Sequence, residues 1–222
     1  MPSRHDARCS TTPGDAAANP PDITLAFWPA RMWCRLPRAR RAVSYRWPHS
    51  GASRVREDGD VFDDLLEANA RYREQFHDAG LRGTAAKGLA VLTCIDSRID
   101  PLSMLGLHAG DAKIIRNAGA RATDDALRSL VLAVNLLGVT RLCVVQHTDC
   151  AMVGRTDDDI RARLADERGV DATGWEFLAT RDQEATLDAD LARIAACPLL
   201  PSTLDVGGFV FDVRTGALRQ LR

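Results

Sequence analysis

Two short apolar runs, about fifty residues apart, constrain this chain more than anything else in it. Leu89-Ala-Val-Leu-Thr-Cys94 is followed at once by Ile95-Asp96-Ser97-Arg98, and Arg141-Leu-Cys-Val-Val-Gln-His147 by Thr148-Asp149-Cys150. Both runs are β-branched and bounded by polar loops, the pattern of buried strands. Between them lies a long apolar helix pattern, capped by Thr123, with Asp124 and Asp125 complementing its dipole and Gly138 ending it. That is enough chain for a right-handed crossover, which sets the two strands parallel. Sites in open parallel sheets form in the crevice outside the carboxyl ends of the strands. Each strand delivers a soft metal ligand just past that end, so Cys94, His147 and Cys150 are expected to converge on one ion.

Taken singly, each of these residues reads more simply as core, since a lone cysteine at a strand end is usually a small buried side chain. The pairing of Cys94 with His147-x-x-Cys150 reverses that balance. Two thiolates and an imidazole give zinc three of the four ligands it prefers, and three protein ligands with one open position is the catalytic pattern. Cys143 lies four residues before His147 on the same strand, roughly 13 Å away and out of reach of the ion. Asp96 is the better candidate for the fourth position. Arg98 stands two residues beyond it, and their pairing decides whether the carboxylate turns toward the metal or away. Asp149, between two ligands, is a candidate to accept the other ring N–H of the histidine.

Cys94-x-Asp96-x-Arg98 followed by His147-x-x-Cys150 resembles the signature of the β-class carbonic anhydrases. Ile115-Arg116-Asn117-Ala118-Gly119, Thr123-Asp124-Asp125 and the closing stretch from Gly208 to Gly216 fit the same family. The resemblance runs from about Asp60 to the C-terminus and is nearest the short bacterial and archaeal branch. The chain departs from the family pattern at Ala151, where glycine is usual after the second cysteine. The resemblance implies zinc, one per subunit, on Cys94, His147 and Cys150, with Asp96 and Arg98 as the catalytic pair. In a closed state Asp96 would itself ligate zinc until Arg98 draws it off. It also implies a dimer with each site near the interface, a higher assembly being open.

The remaining elements read as follows. Val61 to Phe76 carries apolar residues three and four apart, an amphipathic helix before the first strand. Its stripe must lie either on the chain's own core or, as the resemblance implies, on a partner subunit. Asp100-Pro101 opens a short helix through Leu107, and Lys113 to Arg116 is a strand. Asn117-Ala118-Gly119 is a tight turn of small residues, as needed where backbone approaches a site closely, and is the candidate substrate-binding segment. His108 is either a cap or a proton carrier. Helices are expected from Thr156 to about Gly169 and from about Arg181 to Ala196, and a hairpin turning at Thr215-Gly216 closes the chain. The class is α/β: a central, mostly parallel sheet flanked by helices, with a C-terminal β-hairpin and an N-terminal dimer-embracing helix.

Composition separates the first 58 residues from the domain expected over 59–222. From Ile23 to Arg56 there are eight arginines and no acidic residue, with Trp28, Trp33 and Trp47 among prolines. No helical or strand period survives there, so a disordered basic extension is expected, or a true start near Val55 or Val61; a targeting segment is the third reading. The formal net charge of -1 argues against a nucleic-acid partner, and no apolar run is long enough for a membrane. Six unevenly spaced cysteines suit a reducing compartment, hence the cytoplasm.

The expected activity is that of a lyase, the reversible hydration of CO2 to bicarbonate and a proton with zinc-hydroxide as the attacking group. Two thiolates leave the ion a weaker Lewis acid than three histidines would, so activity is expected to rise with pH above neutrality. Two alternatives compete: hydrolysis of COS or CS2 on the same scaffold, and a zinc or thiol binding module without turnover. The second predicts a permanent fourth protein ligand or a Cys94–Cys150 disulfide.

Overall fold

The computed structural model describes residues 61–222; the expectations for residues 1–58 fall outside them. Five strands form one sheet: β1 (Leu89–Cys94), β2 (Ala112–Asn117), β3 (Arg141–His147), β4 (Asp205–Phe211) and β5 (Leu218–Gln220), in the spatial order β2-β1-β3-β4-β5. Every neighbouring pair is parallel except the β4–β5 hairpin. All six residues of β1 are buried, which is why its sequence is a continuous apolar run rather than an alternating one. The short edge strand β5 is exposed throughout.

Side chains alternate across the strands and feed two apolar layers. Ala90, Leu92, Leu142 and Val144 pack under α3 (Asp124–Leu136) and α5 (Gln183–Ala195), against Leu130, Leu187 and Ile194. Leu89, Val91, Val145 and Phe211 pack on the other side with Ile99, Met104 and Leu105 around α2 (Pro101–Met104). Full burial of each such leucine or valine contributes about 1.5–3 kcal/mol, so the sheet's centre is the most firmly held part of the fold. Both strands that reach the site run through it.

The helix ends follow local chemistry. Thr123 caps α3 by accepting the Ala126 N–H, and Thr156 with Asp159 forms a reciprocal capping box on α4 (Asp157–Arg168), which Gly169 ends in a left-handed conformation. Helix α5 begins two residues later than its pattern suggests, because the Asp182 carboxylate takes the Ala185 N–H. Helix α2 stops at Met104 rather than Leu107: Gly106, at φ +62°, turns the chain out of the helix. The amphipathic helix appears as α1 (Asp63–Glu74), and none of its residues is buried, with Leu65 59% and Leu66 63% exposed. Its stripe therefore does not lie on the chain's own core. No helix among the described residues is long and apolar enough to cross a membrane.

Candidate metal centre

Strand register builds the site. Thr93 pairs with Val145, and its hydroxyl donates to the Val145 carbonyl at 2.9 Å. Cys94 is therefore level with the last residues of β3, and His147 stands one step beyond, at the same edge of the sheet. Past His147 the chain reverses at Asp149, which adopts φ +57°, a left-handed conformation that aspartate tolerates better than most residues. The reversal returns Cys150 to the strand end. The sulfurs of Cys94 and Cys150 and a ring nitrogen of His147 lie within 4.8 Å of one another, and all three residues are buried, His147 to 1% exposure.

The donor set fits a zinc ion. His147 Nδ1 lies 2.9 Å from the Thr148 carbonyl, which places the ring proton there and leaves Nε2 as the lone-pair nitrogen. That Nε2 is buried without any hydrogen-bond partner. A buried polar atom left unpaired is costly, and a cation between it and the two sulfurs answers the need. Donor atoms on a tetrahedral zinc lie about 3.5–3.8 Å apart, so the observed cluster needs only a small inward shift. Cys94, Cys143, Cys150 and Cys197 are all free thiols, and Cys143 packs half-buried in the core, its thiol pushed up by burial.

Charge is managed by close neighbours. Hydrogen bonding from Cys150 holds the Cys94 thiol well below its ordinary range against the opposing effect of burial, with the Gly119 N–H adding to it. The same sharing, together with burial, pushes Cys150 up. Burial opposes a charged His147, but the Cys94 thiolate outweighs it and the net direction is upward. The Gly119 N–H donates to the Cys94 sulfur at 3.3 Å. Gly119 sits at φ +79°, a backbone conformation that side-chain-bearing residues rarely adopt, so glycine suits the turn that brings this amide to the sulfur.

Asp96 is turned away from the three donors. The Arg98 Nε and Nη2 donate to its two carboxylate oxygens at 3.0 and 2.7 Å, and the Arg98 backbone N–H adds a third bond at 2.9 Å. These bonds hold the carboxyl well below the usual carboxylate range. Its Oδ2 nevertheless stays 3.8 Å from His147 Nε2, so the carboxylate borders the position a metal would take. Arg98 is anchored in turn by the Asp149 carboxylate at 2.8 Å and the Asp149 carbonyl at 3.0 Å. Asp149 thus partners Arg98 and not, as its place between two ligands suggests, the histidine ring.

The other candidates separate by role. Asn117 folds its side chain back on the turn, accepting the Arg121 N–H and donating to the Arg121 carbonyl, both at 2.7 Å. Ala118 is exposed, so of the three turn residues Gly119 is the one that touches a donor. His108 projects to solvent at 89% side-chain exposure beside Asp111. Ala151 is exposed and is absent from the non-glycine residues with positive φ, which are Ala120, Asp149 and Leu178. An alanine there meets no backbone strain. Two contributors have no role assigned from the sequence: Arg116, which lies in the stretch that resembles the family and whose guanidinium binds the carbonyls of Cys94 and Asp96 at 2.8 and 2.6 Å, and Gln183, whose amide donates to the His147 carbonyl at 2.9 Å.

Comparison with known proteins gives a consistent picture. The family model described as carbonic anhydrase matches residues 89–175. Beta-carbonic anhydrase 1 of Mycobacterium tuberculosis is 38% identical over 161 residues, which are 72% of this chain and 98% of that protein. A carbon disulfide hydrolase of Saccharolobus solfataricus is 31% identical over 186 residues, covering 72% of this chain and 90% of that one. Among solved structures, the carbonic anhydrase of Streptococcus mutans superposes with a TM-score of 0.70 at 36% identity, spanning 74% of this chain and 99% of its own.

Proposed function

Because the chain belongs to the β-carbonic anhydrase family, we propose that it hydrates CO2 reversibly to bicarbonate and a proton at a zinc ion held by Cys94, His147 and Cys150. The observation that carries this reading is the Asp96–Arg98 pair. Three donors converge with Asp96 gripped beside them rather than among them, which leaves a fourth position for water.

Bound there, zinc would supply the Lewis acidity that makes hydroxide available from water near neutral pH. The protein's own residues do the rest. The two cysteine sulfurs offset the dication's charge, and the Gly119 amide supports one of them. Asp96, kept anionic by Arg98, accepts a hydrogen bond from the attacking water and so aims an oxygen lone pair at the CO2 carbon. Addition of water to CO2 gives bicarbonate and one proton. Asp96 is too weak a base in the grip of Arg98 to keep that proton, which passes on to solvent or buffer. Asn117, Ala118 and Gly119 form the turn flanking the reacting molecule. The exposed apolar stripe of α1 supports assembly as a homodimer, and the free thiols fit a reducing, cytoplasmic setting.

A second reading is favoured by the carbon disulfide hydrolase relative: the same centre could hydrolyse CS2 or COS, linear analogues of CO2. Stopped-flow hydration of CO2 on zinc-quantified protein, at about pH 7 and about pH 8.5, separates the readings. Turnover that is higher at the alkaline pH, lost by a factor of roughly 10²–10⁴ in Asp96→Asn with zinc retained, supports the anhydrase. Full activity in Asp96→Asn sinks the assignment. Silence toward CO2 with hydrogen sulfide released from CS2 selects the second reading.

A further inference from the structure

The turn that brings the Gly119 N–H to the Cys94 sulfur is held in a costly shape. Gly119 at φ +79° is followed by Ala120 at φ +58°. A left-handed residue that carries a side chain persists only where its surroundings impose the conformation, and Ala120 is wholly buried.

Two devices impose it. Asn117 clasps Arg121, its side-chain amide taking the Arg121 N–H and donating to the Arg121 carbonyl, both at 2.7 Å. Asn117 is itself fixed on the sheet, opposite Cys94 in the β1–β2 register, with its carbonyl accepting the Ile95 N–H at 3.1 Å. At the other end of the turn the Arg121 guanidinium reaches outward. Its Nε donates to the Asp190 carboxylate on α5 and its Nη1 to the Leu178 carbonyl, each at 2.7 Å. Neither acceptor is loose. The Asp190 side chain is 5% exposed. Leu178 lies in a segment whose consecutive N–H groups, those of Phe177, Leu178 and Ala179, are held by the Asp157 carboxylate at 2.9, 3.4 and 2.8 Å. Arg121 also lines the small cavity that borders His147 and Cys150.

Stability alone is a poor reason for such a pair. A buried guanidinium and carboxylate give little over two well-packed apolar side chains, whereas a planar fork on two fixed acceptors sets an orientation. What it orients is the donor turn, since the amide 3.3 Å from the sulfur lies two residues before Arg121. An N–H aimed at a thiolate draws charge from it and so sets how strongly that sulfur donates to a metal. We propose that Arg121, anchored by Asp190, is a positioning residue that aims the Gly119 N–H at the Cys94 sulfur and thereby tunes the metal's thiolate ligand. The inference rests on the reading of Cys94, His147 and Cys150 as metal ligands.

Cobalt(II) loaded into the full chain in place of zinc reports on the sulfur directly, through its sulfur-to-metal charge-transfer band in the near ultraviolet. Arg121→Met alone strands the Asp190 charge and destabilises the chain strongly, so the decisive variant is Arg121→Met with Asp190→Leu, which removes both charges and keeps the metal-free melting temperature near wild type. A sulfur without its hydrogen bond gives up an electron more easily, so the band should move to lower energy, and the rise of CO2 hydration with pH should begin at a more alkaline pH. Arg121→Lys, which keeps a partner for Asp190 but cannot also hold the Leu178 carbonyl, should move the band the same way by less. The band is read on the bound metal and decides the inference even where CO2 is not the substrate. A wild-type band in both folded variants overturns it and assigns the Arg121–Asp190 pair to packing. A wild-type chain with no cobalt on its thiolates overturns the ligand reading and this inference together.

Discussion

Arg98 spans two carboxylates at once, Asp96 on the loop after β1 and Asp149 on the loop after β3, with Nη1 2.8 Å from one and Nη2 2.7 Å from the other. The guanidinium's planar fork is what makes this double grip possible. Lysine carries the same charge as a single point and cannot hold both oxygens of Asp96 while also reaching Asp149. In Arg98→Lys the carboxylate is therefore free to swing toward the three donors. Zinc content should be unchanged, and kcat/KM for CO2 should fall about 10- to 100-fold, the usual effect of removing a residue that orients a metal site. Stopped-flow rates normalised to bound zinc check this; a variant within twofold of wild type would show that the grip is not what keeps the site open.

The orphaned Nε2 of His147 and the two buried thiols lead us to expect that a metal held there stabilises the fold. Zinc at about a thousand times its dissociation constant stabilises by about 4 kcal/mol, or roughly 10 °C in a domain of this size. Stripping the ion with a chelator should lower the melting temperature by that order, and stoichiometric zinc should restore it. In His147→Ala the response to zinc should shrink to a small fraction. Differential scanning fluorimetry with and without zinc reads it directly.

What was legible in the sequence is what local chemistry decides. The strands that carry Cys94 and His147, the Thr123 and Thr156 caps and the Gly138 and Gly169 stops all follow from residues a few positions apart. That Cys94, His147 and Cys150 would meet was legible because strand ends and a crossover fix their meeting point. The partners of those ligands were not. Arg98 reaches Asp149 across 51 positions, Gln183 reaches His147 across 36, and Arg121 reaches Asp190 across 69, and no periodicity relates such pairs. Asp149 meets Arg98 instead of the imidazole because its left-handed backbone, invisible in the sequence, turns its carboxylate that way.

Asp157 offers a pH-dependent prediction away from the metal. Burial opposes its charge, but the N–H groups of residues 177–179 outweigh that and hold its carboxyl below the ordinary value, with Arg161 at 3.7 Å adding to the effect. A carboxyl whose pKa is depressed on folding contributes stability that is fully present above its unfolded value, about 3.9, and is lost as pH falls through the folded one. Asp157→Ala should therefore lose about 1.5–3 kcal/mol near neutrality, and the gap from wild type should narrow as pH drops below about 4. Urea denaturation of both proteins across that range is the measurement. A gap independent of pH would assign the loss to packing instead of charge.

Helix α1 and the turn after it hold Leu65, Leu66, Tyr72 and Phe76 in the open. A helix with an apolar stripe and no core of its own to lie on needs a second surface. Burying each of those side chains against a partner contributes about 1.5–3 kcal/mol, while leaving them in water contributes nothing. A second copy of this chain presents the same stripe, so a symmetric exchange of helices buries both at once. Wild type should then run as a dimer or a multiple of one in sedimentation or light scattering. Leu66→Glu, which puts a charge where water has been excluded, should shift it to monomer with the sheet's circular dichroism intact. A monomeric wild type, or a variant that still dimerises, would show that this stripe is not the subunit contact.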